Sequence, residues 1–231
     1  MVRTTTGLIG AMALAAGASA SISHYDDLAE GFYGESFTHN GVTYRNVNDV
    51  AGVFPDGSTF DADGINGLGN TVIVENAGLL YNDFPEWGSA TNALTFGSSY
   101  VTGSNLSIGA LSTVWMDLAE PASSASVETV FYENGPWSGI VFHFEALLNG
   151  QVVASDSYAL ASGGDRDTIG FRTFAVSAPQ FDQLHMYATF GLEYSGPRMM
   201  LDNLTLTPVP APGAAGLVAV AGLAALRRRR G

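Results

Sequence analysis

The sequence predicts an all-β chain: one β-sandwich or jelly-roll domain, with an N-terminal signal helix and a C-terminal sorting helix outside it. Three observations predict this. From Ser21 to Leu206 no long stretch places apolar residues at spacings of three and four. Short runs alternate apolar and polar residues instead, separated by Gly, Asn, Asp, Ser and Pro. The crossover helices of βαβ units are missing, so about ten to twelve short strands pair antiparallel in layers. A closed barrel is the alternative to the sandwich.

The elements follow in chain order. Phe37–Asn46 contains Asn40-Gly41 between Phe37 and Tyr44, a hairpin signature because both turn residues tolerate positive φ. Thr71–Glu75, Ala93–Phe96, Ser112–Leu118 and Ser126–Glu133 are further strands, and Trp115 within the third is expected in the core. Gly139–Ser155 repeats the hairpin more strongly. There Ile140, Phe142, Phe144, Ala146 and Leu148 line one face, Asn149-Gly150 turns, and Gln151–Ala154 returns, with His143 on the opposite face. Ile169–Val176, Phe181–Phe190 and Arg198–Leu206 complete the set. In the last strand Met200, Asp202, Leu204 and Leu206 share one face, and Met199, Leu201 and Asn203 the other.

Composition narrows the function classes. The chain has 231 residues, 28 Gly, no Cys and no Lys. Arg3 and Arg227–Arg230 lie at the ends, so the body carries four Arg against all 22 acids, a formal charge of −18. Nucleic acid is excluded as a partner, because phosphate binding needs a basic footprint. The absence of Cys excludes disulfide scaffolds and thiolate metal sites. With 46% apolar residues the body is no disordered acid tail. Its length, about 185 residues, suffices for one core burying roughly 70% of the unfolded chain's surface.

The ends, 1–20 and 207–231, read as addresses around a domain at 21–206. Arg3, the apolar Leu8–Ala16 and the small-x-small Ala18-Ser19-Ala20 form a secretory signal. The tail combines Val209-Pro210-Ala211-Pro212, an apolar run Gly213–Leu226 and the cluster Arg227, Arg228, Arg229 and Arg230. As a helix that run is about 21 Å long, short of the ~30 Å hydrocarbon core, so it fits a transient hold in the inner membrane. The arginines would stay cytoplasmic, with the acidic body outside. This tripartite tail resembles the PEP-CTERM sorting signal of exported bacterial proteins, with Ala211 where the family has Glu between Pro210 and Pro212. The resemblance implies a sorting enzyme, an exosortase, that removes the tail. An ordinary single-pass anchor is the alternative.

Several body segments also resemble domains found above such tails: Gly41-Val42-Thr43-Tyr44, Asn134-Gly135-Pro136-Trp137, Val153-Ala154-Ser155-Asp156-Ser157 and Met200–Leu206. That likeness implies a carbohydrate-binding-module-like sandwich. In such modules a last-strand Asp joins an early acid around a structural Ca²⁺. The resemblance therefore implies Asp202 with Asp26, Asp27 or Glu30. An oxygen-only set suits a hard cation. The alternatives are a carboxylate hydrogen-bonded to a neighbouring loop, which equally offsets desolvation, or an edge residue at the rim.

Among other candidates, Trp87 and Trp137 sit in Pro/Gly loops, where aromatic faces can stack on sugars; covering the sandwich's open end is the alternative. Asp56–Asn66 superficially resembles an EF-hand loop, but with Gly64 as the turn glycine its first and twelfth positions are Thr59 and Asn70. Arg166 between Asp165 and Asp167 reads as a local salt bridge or turn rather than a ligand site. For catalysis there is no Gly-x-Ser-x-Gly elbow, no His-Glu-x-x-His and no phosphate loop, and His24, His39, His143 and His185 are scattered. The sequence thus predicts an exported, non-catalytic cell-surface or matrix protein associated with extracellular polysaccharide. A purely structural surface protein and a glycan hydrolase or lyase are the alternatives.

Overall fold

The computed structural model describes residues 19–46, 51–53, 59–61, 72–76, 88–89, 92–96, 99–101, 106–108, 112–133, 139–160, 168–191, 193–194 and 199–209. Ala20–Val209 is one compact unit. Its described secondary structure is all β: β1 (Ser21–Ser23), β2 (Gly31–Phe32), β3 (Ser36–His39), β4 (Val42–Arg45), β5 (Ala51–Val53), β6 (Thr59–Asp61), β7 (Ile73–Asn76) and β8 (Asn92–Phe96). Then come β9 (Ser99–Val101), β10 (Leu106–Ile108), β11 (Thr113–Glu133), β12 (Ile140–Leu148), β13 (Gln151–Ala159), β14 (Thr168–Phe190), β15 (Glu193–Tyr194) and β16 (Met199–Pro208). Twelve strands form one antiparallel sheet, and β5–β6 and β9–β10 are separate two-stranded ribbons.

Two long strands build both layers. The sequence predicts Ser112–Leu118 and Ser126–Glu133 as separate strands, yet β11 runs through both, and β14 likewise joins Ile169–Val176 to Phe181–Phe190. Each carries a proline, Pro121 or Pro179, where the β11–β14 register shifts, so the missing N–H falls where the ladder is already broken. Up to Leu118 β11 pairs with β4; from Ala122 onward it pairs with β16. One layer is therefore β13–β12–β14–β11–β4–β3, using the second half of β14 and the first half of β11. The other uses the remaining halves and continues through β16, β8, β7 and β2.

The layers face each other across one core. Ile140, Phe142, Phe144, Leu184, Met186, Val114, Val42 and Tyr44 come from the first layer. Val127, Phe131, Phe174, Leu94, Phe96, Val74, Met199 and Leu201 come from the second. Phe131 stacks on Phe142 with ring centroids 4.7 Å apart, and the Thr129 hydroxyl reaches the Met186 sulfur at 4.0 Å, so the two sets interdigitate.

Both predicted hairpins form as read. Asn40 and Gly41 have φ of 47° and 77°, and Asn149 and Gly150 have 53° and 76°, the left-handed values that a two-residue turn matched to sheet twist demands. In β12 the residues from Ile140 to Ala146 alternate as expected, while Leu148 at the turn is only half-buried. The last strand departs from strict alternation. Ser126 pairs with Thr205 and Glu128 with Asp202, so Asn203 and Leu204 stand opposite Val127 alone. Asn203 takes φ of 47°, making a bulge that reverses parity. Met199, Leu201, Leu204 and Leu206 consequently share the core, and Asp202 does not line up with Leu204 and Leu206.

Candidate functional site

Asp202 is fully buried, and its surroundings are made of hydrogen-bond donors. One oxygen accepts from the Ser89 amide at 2.6 Å and the Ser89 hydroxyl at 2.9 Å; the other accepts from the Asn203 amide at 2.7 Å. Its cross-strand neighbour Glu128 accepts from the Gly88 amide at 2.5 Å and the Asn203 side-chain amide at 3.0 Å. Successive amides of one loop therefore dock on paired carboxylates. The negative charge of Asp202 also acts on the buried Tyr25–Tyr44 pair, whose hydroxyls are 2.8 Å apart. Burial first, and Asp202 as a lesser cause, hold both phenols well above the ordinary tyrosine range.

The early acids have contacts of their own. Asp26 accepts from the Asn92 amide at 2.8 Å, Asp27 lies 3.4 Å from the His39 ring with a 61% exposed side chain, and Glu30 is exposed. Among the described residues no three His, Asp or Glu side chains converge as metal ligands. The contacts described at Asp202 are those of the hydrogen-bonded alternative, and a cation there would have to displace three donors. These residues as placed do not fit a calcium cradle.

A second constellation occupies the face of the first layer that points away from the core. Register fixes it: Arg45, Trp115, His185, Glu145 and Ser155 form one row across five strands. Thr113, Tyr187, His143 and Ser157 form the next row, and Thr43, Asp117, Gln183 and Leu147 the row on the other side. Four rings stack in succession. Trp115 lies on His185 at 3.6 Å between centroids and 4° between planes; His185 is 4.4 Å from Tyr187, and Tyr187 is 4.6 Å from His143. His185 at the centre is buried, while Trp115, Tyr187 and His143 are half-buried.

Polar groups fix and flank the rings. Thr113 Oγ1 lies 2.9 Å from His185 Nε2, and Thr189 Oγ1 lies 2.9 Å from His143 Nε2. The Tyr187 hydroxyl donates to Glu145 Oε1 at 3.0 Å. Arg45 holds Asp117 with two nitrogens at 2.5 and 3.0 Å, and the Gln183 amide donates to the same carboxylate at 2.6 Å. The Arg45 hydrogen bonds lower the Asp117 carboxyl's pKa, against the opposing effect of burial. Burial pushes His185 down to about 3 and also lowers His143, so both rings are neutral at pH 7.

Trp115 thus sits on the outer face, not in the core. Its apolar character argued for burial, but Val114 and Met116 on either side are the core residues and Asp117 shares its parity. The same parity places His185 with Gln183 and Tyr187 against Leu184, Met186 and Ala188. His143 lies on the face opposite Phe142 and Phe144, as expected. Trp87, Trp137, Arg166, Pro210, Pro212 and Arg227–Arg230 lie outside the described residues, as does most of Asp56–Asn66. Val209 donates its amide to the Pro121 carbonyl at 2.9 Å, tying the end of the body to the β11 bend.

No protein-family model matches the chain, and no curated protein matches it. Among solved structures it is similar to the K2 cleaved adhesin domain of Lys-gingipain, at 12% identity and a TM-score of 0.46, over 83% of this chain and 99% of that one. The K1 cleaved adhesin domain of Lys-gingipain from Porphyromonas gingivalis gives 12% identity and 0.41 over 82% and 98%. A family 35 carbohydrate-binding module from Clostridium thermocellum gives 13% identity and 0.30 over 83% and 99%. At TM-scores below 0.5 these overlaps say nothing of the outer-face rings, whose reading rests on their own geometry.

Proposed function

We propose that this chain is an exported, non-catalytic glycan-binding protein of the cell surface or extracellular matrix. It holds polysaccharide on the outer face of a jelly-roll-type sandwich. The observation that carries this reading is the ring stack Trp115–His185–Tyr187–His143 bordered by Asp117, Gln183, Arg45 and Glu145. Sugar recognition needs aromatic surface against C–H groups together with fixed acceptors and donors for hydroxyls, on a rigid scaffold. Strands supply the rigidity, and each carboxylate on the face is held by a partner of its own rather than left as a paired acid and base.

Export rests on the tripartite ends described above. What supports it is that the compact unit spans Ala20–Val209, the interval between those ends. Sorting by an enzyme acting at Val209-Pro210-Ala211-Pro212 is part of the same proposal, and the mass of the protein recovered from the producing cells tests it. A form ending before Arg227 supports removal of the tail; an intact C-terminus supports an anchor.

The binding test is a glycan array with the full chain and four variants. Trp115→Ala and Tyr187→Ala should each weaken retention of a bound glycan by about tenfold, the equivalent of 1.4 kcal/mol. Loss in Trp87→Ala or Trp137→Ala instead would move the binding surface to the loops. No retained glycan in any variant or condition removes the binding reading and leaves a structural surface protein.

A further inference from the structure

Resting on that glycan-binding face, we propose that its ligand is an amine-bearing, cationic glycan and that Glu145 receives the ammonium group. The charge inventory points this way. The body carries four Arg and no Lys against 22 acids. Arg45 is spent on Asp117, and Arg172 on Asp156 at 2.9 Å. A uronate-rich polymer would meet a repulsive field, with no cation among the described residues of this face free to receive it. A neutral polymer would gain nothing from that field.

Local geometry separates the two acids of the face. Asp117 is compensated by the Arg45 guanidinium and the Gln183 amide. Among the described residues Glu145 receives only the Tyr187 hydroxyl, and no Arg or His lies within ion-pair distance of it. Its cross-strand neighbour is His185, and His143 lies two residues back on the same face. Burial lowers both rings, against the opposing pull of Glu145 on His143, so at neutral pH neither is a standing counter-ion for the carboxylate. A half-buried carboxylate lacking a counter-ion beside Tyr187 and His143 suits an ammonium, which donates up to three hydrogen bonds and supplies the missing charge.

The test compares retention of the full-length protein by chitosan and chitin oligosaccharides of equal length, by a neutral β-glucan and by alginate, at low and high salt. The expected result is at least about a tenfold preference for the deacetylated over the acetylated oligosaccharide, shrinking as salt screens the contact. Glu145→Gln, which keeps an acceptor for Tyr187, should abolish that preference. Glu120→Gln at the exposed bend should not. Equal retention of the acetylated and deacetylated forms overturns the amine assignment while leaving the glycan-binding reading in place. Equal losses in the two variants also overturn it, since they would mean diffuse attraction to the acidic surface. If no polymer is retained, both readings fail together.

Discussion

Asp202 shows how hydrogen-bond donors can compensate a buried carboxylate. Two donors of Ser89 and one of Asn203 lie within 2.9 Å of its oxygens, replacing the water that burial removed. Substituting Asn keeps the shape but turns two lone-pair sites into N–H donors that face other donors. Asp202→Asn should therefore cost about 1–3 kcal/mol, the range for a disrupted buried polar group. The calcium reading and the hydrogen-bond reading differ in one measurable respect. Hydrogen bonding predicts the same fall in denaturation midpoint in EDTA and in calcium buffer. A deficit seen only with calcium would restore the cation, with Asp26 as the early-strand acid to examine next. That Asp202 is buried and compensated was legible in the sequence, because a carboxylate between apolar neighbours such as Leu201 and Leu204 must find donors or a cation. Its donors were not legible, because Ser89 is 113 positions away and reaches it through tertiary folding alone.

At the level of the strand, parity is the informative quantity, and bulges are where it breaks. The two Asn-Gly hairpins were legible because their chemistry is local: each turn needs two residues at positive φ, and Asn and Gly accept it. Most of β12 was legible for the same reason, as uninterrupted alternation. The joining of two short runs into β11 was not, since Pro121 reads as a strand breaker until its missing N–H is seen to fall at a register shift. The face of Asp202 was misassigned because Asn203 adds a residue that no alternation pattern marks. This makes Asn203 the position that decides which side chains of β16 meet the core. Asn203→Gly should leave stability nearly unchanged, since glycine takes the left-handed conformation freely but loses the side-chain bond to Glu128. Asn203→Val should cost about 1–3 kcal/mol, because a β-branched residue is strained there. Deleting Asn203 should be worse than either, turning Leu204 and Leu206 out of the core. Chemical denaturation of the three variants checks the order; a deletion as stable as Asn203→Gly would show that the bulge does not set the register.

Across the whole molecule, the buried rings and the surplus of acid make opposite demands on pH. His185 is neutral when folded, with burial, then His143, then Arg45 lowering its pKa to about 3. In the unfolded chain the same ring titrates near its ordinary value of about 6.5. Between those values the unfolded chain binds a proton that the folded chain refuses. Stability is thus fully present above about pH 6.5 and falls as pH is lowered, at up to 1.4 kcal/mol per pH unit, until the folded ring itself protonates. Asp117 adds a second loss at lower pH. Its folded pKa is lowered, so its contribution is present above the ordinary carboxylate range and disappears as acid protonates it and releases Arg45. Self-repulsion among the 22 acids works the other way, relaxing as the net charge falls toward neutrality. The stack and the charge field can be told apart by His185→Gln, which keeps a polar side chain beside Thr113 but has no proton to gain. From pH 6.5 to 4.5 the wild-type denaturation midpoint should drop further than that of His185→Gln, which keeps the loss from His143, also lowered by burial, together with the relief of repulsion. Parallel declines in the two proteins would place the acid-sensitive group elsewhere than His185.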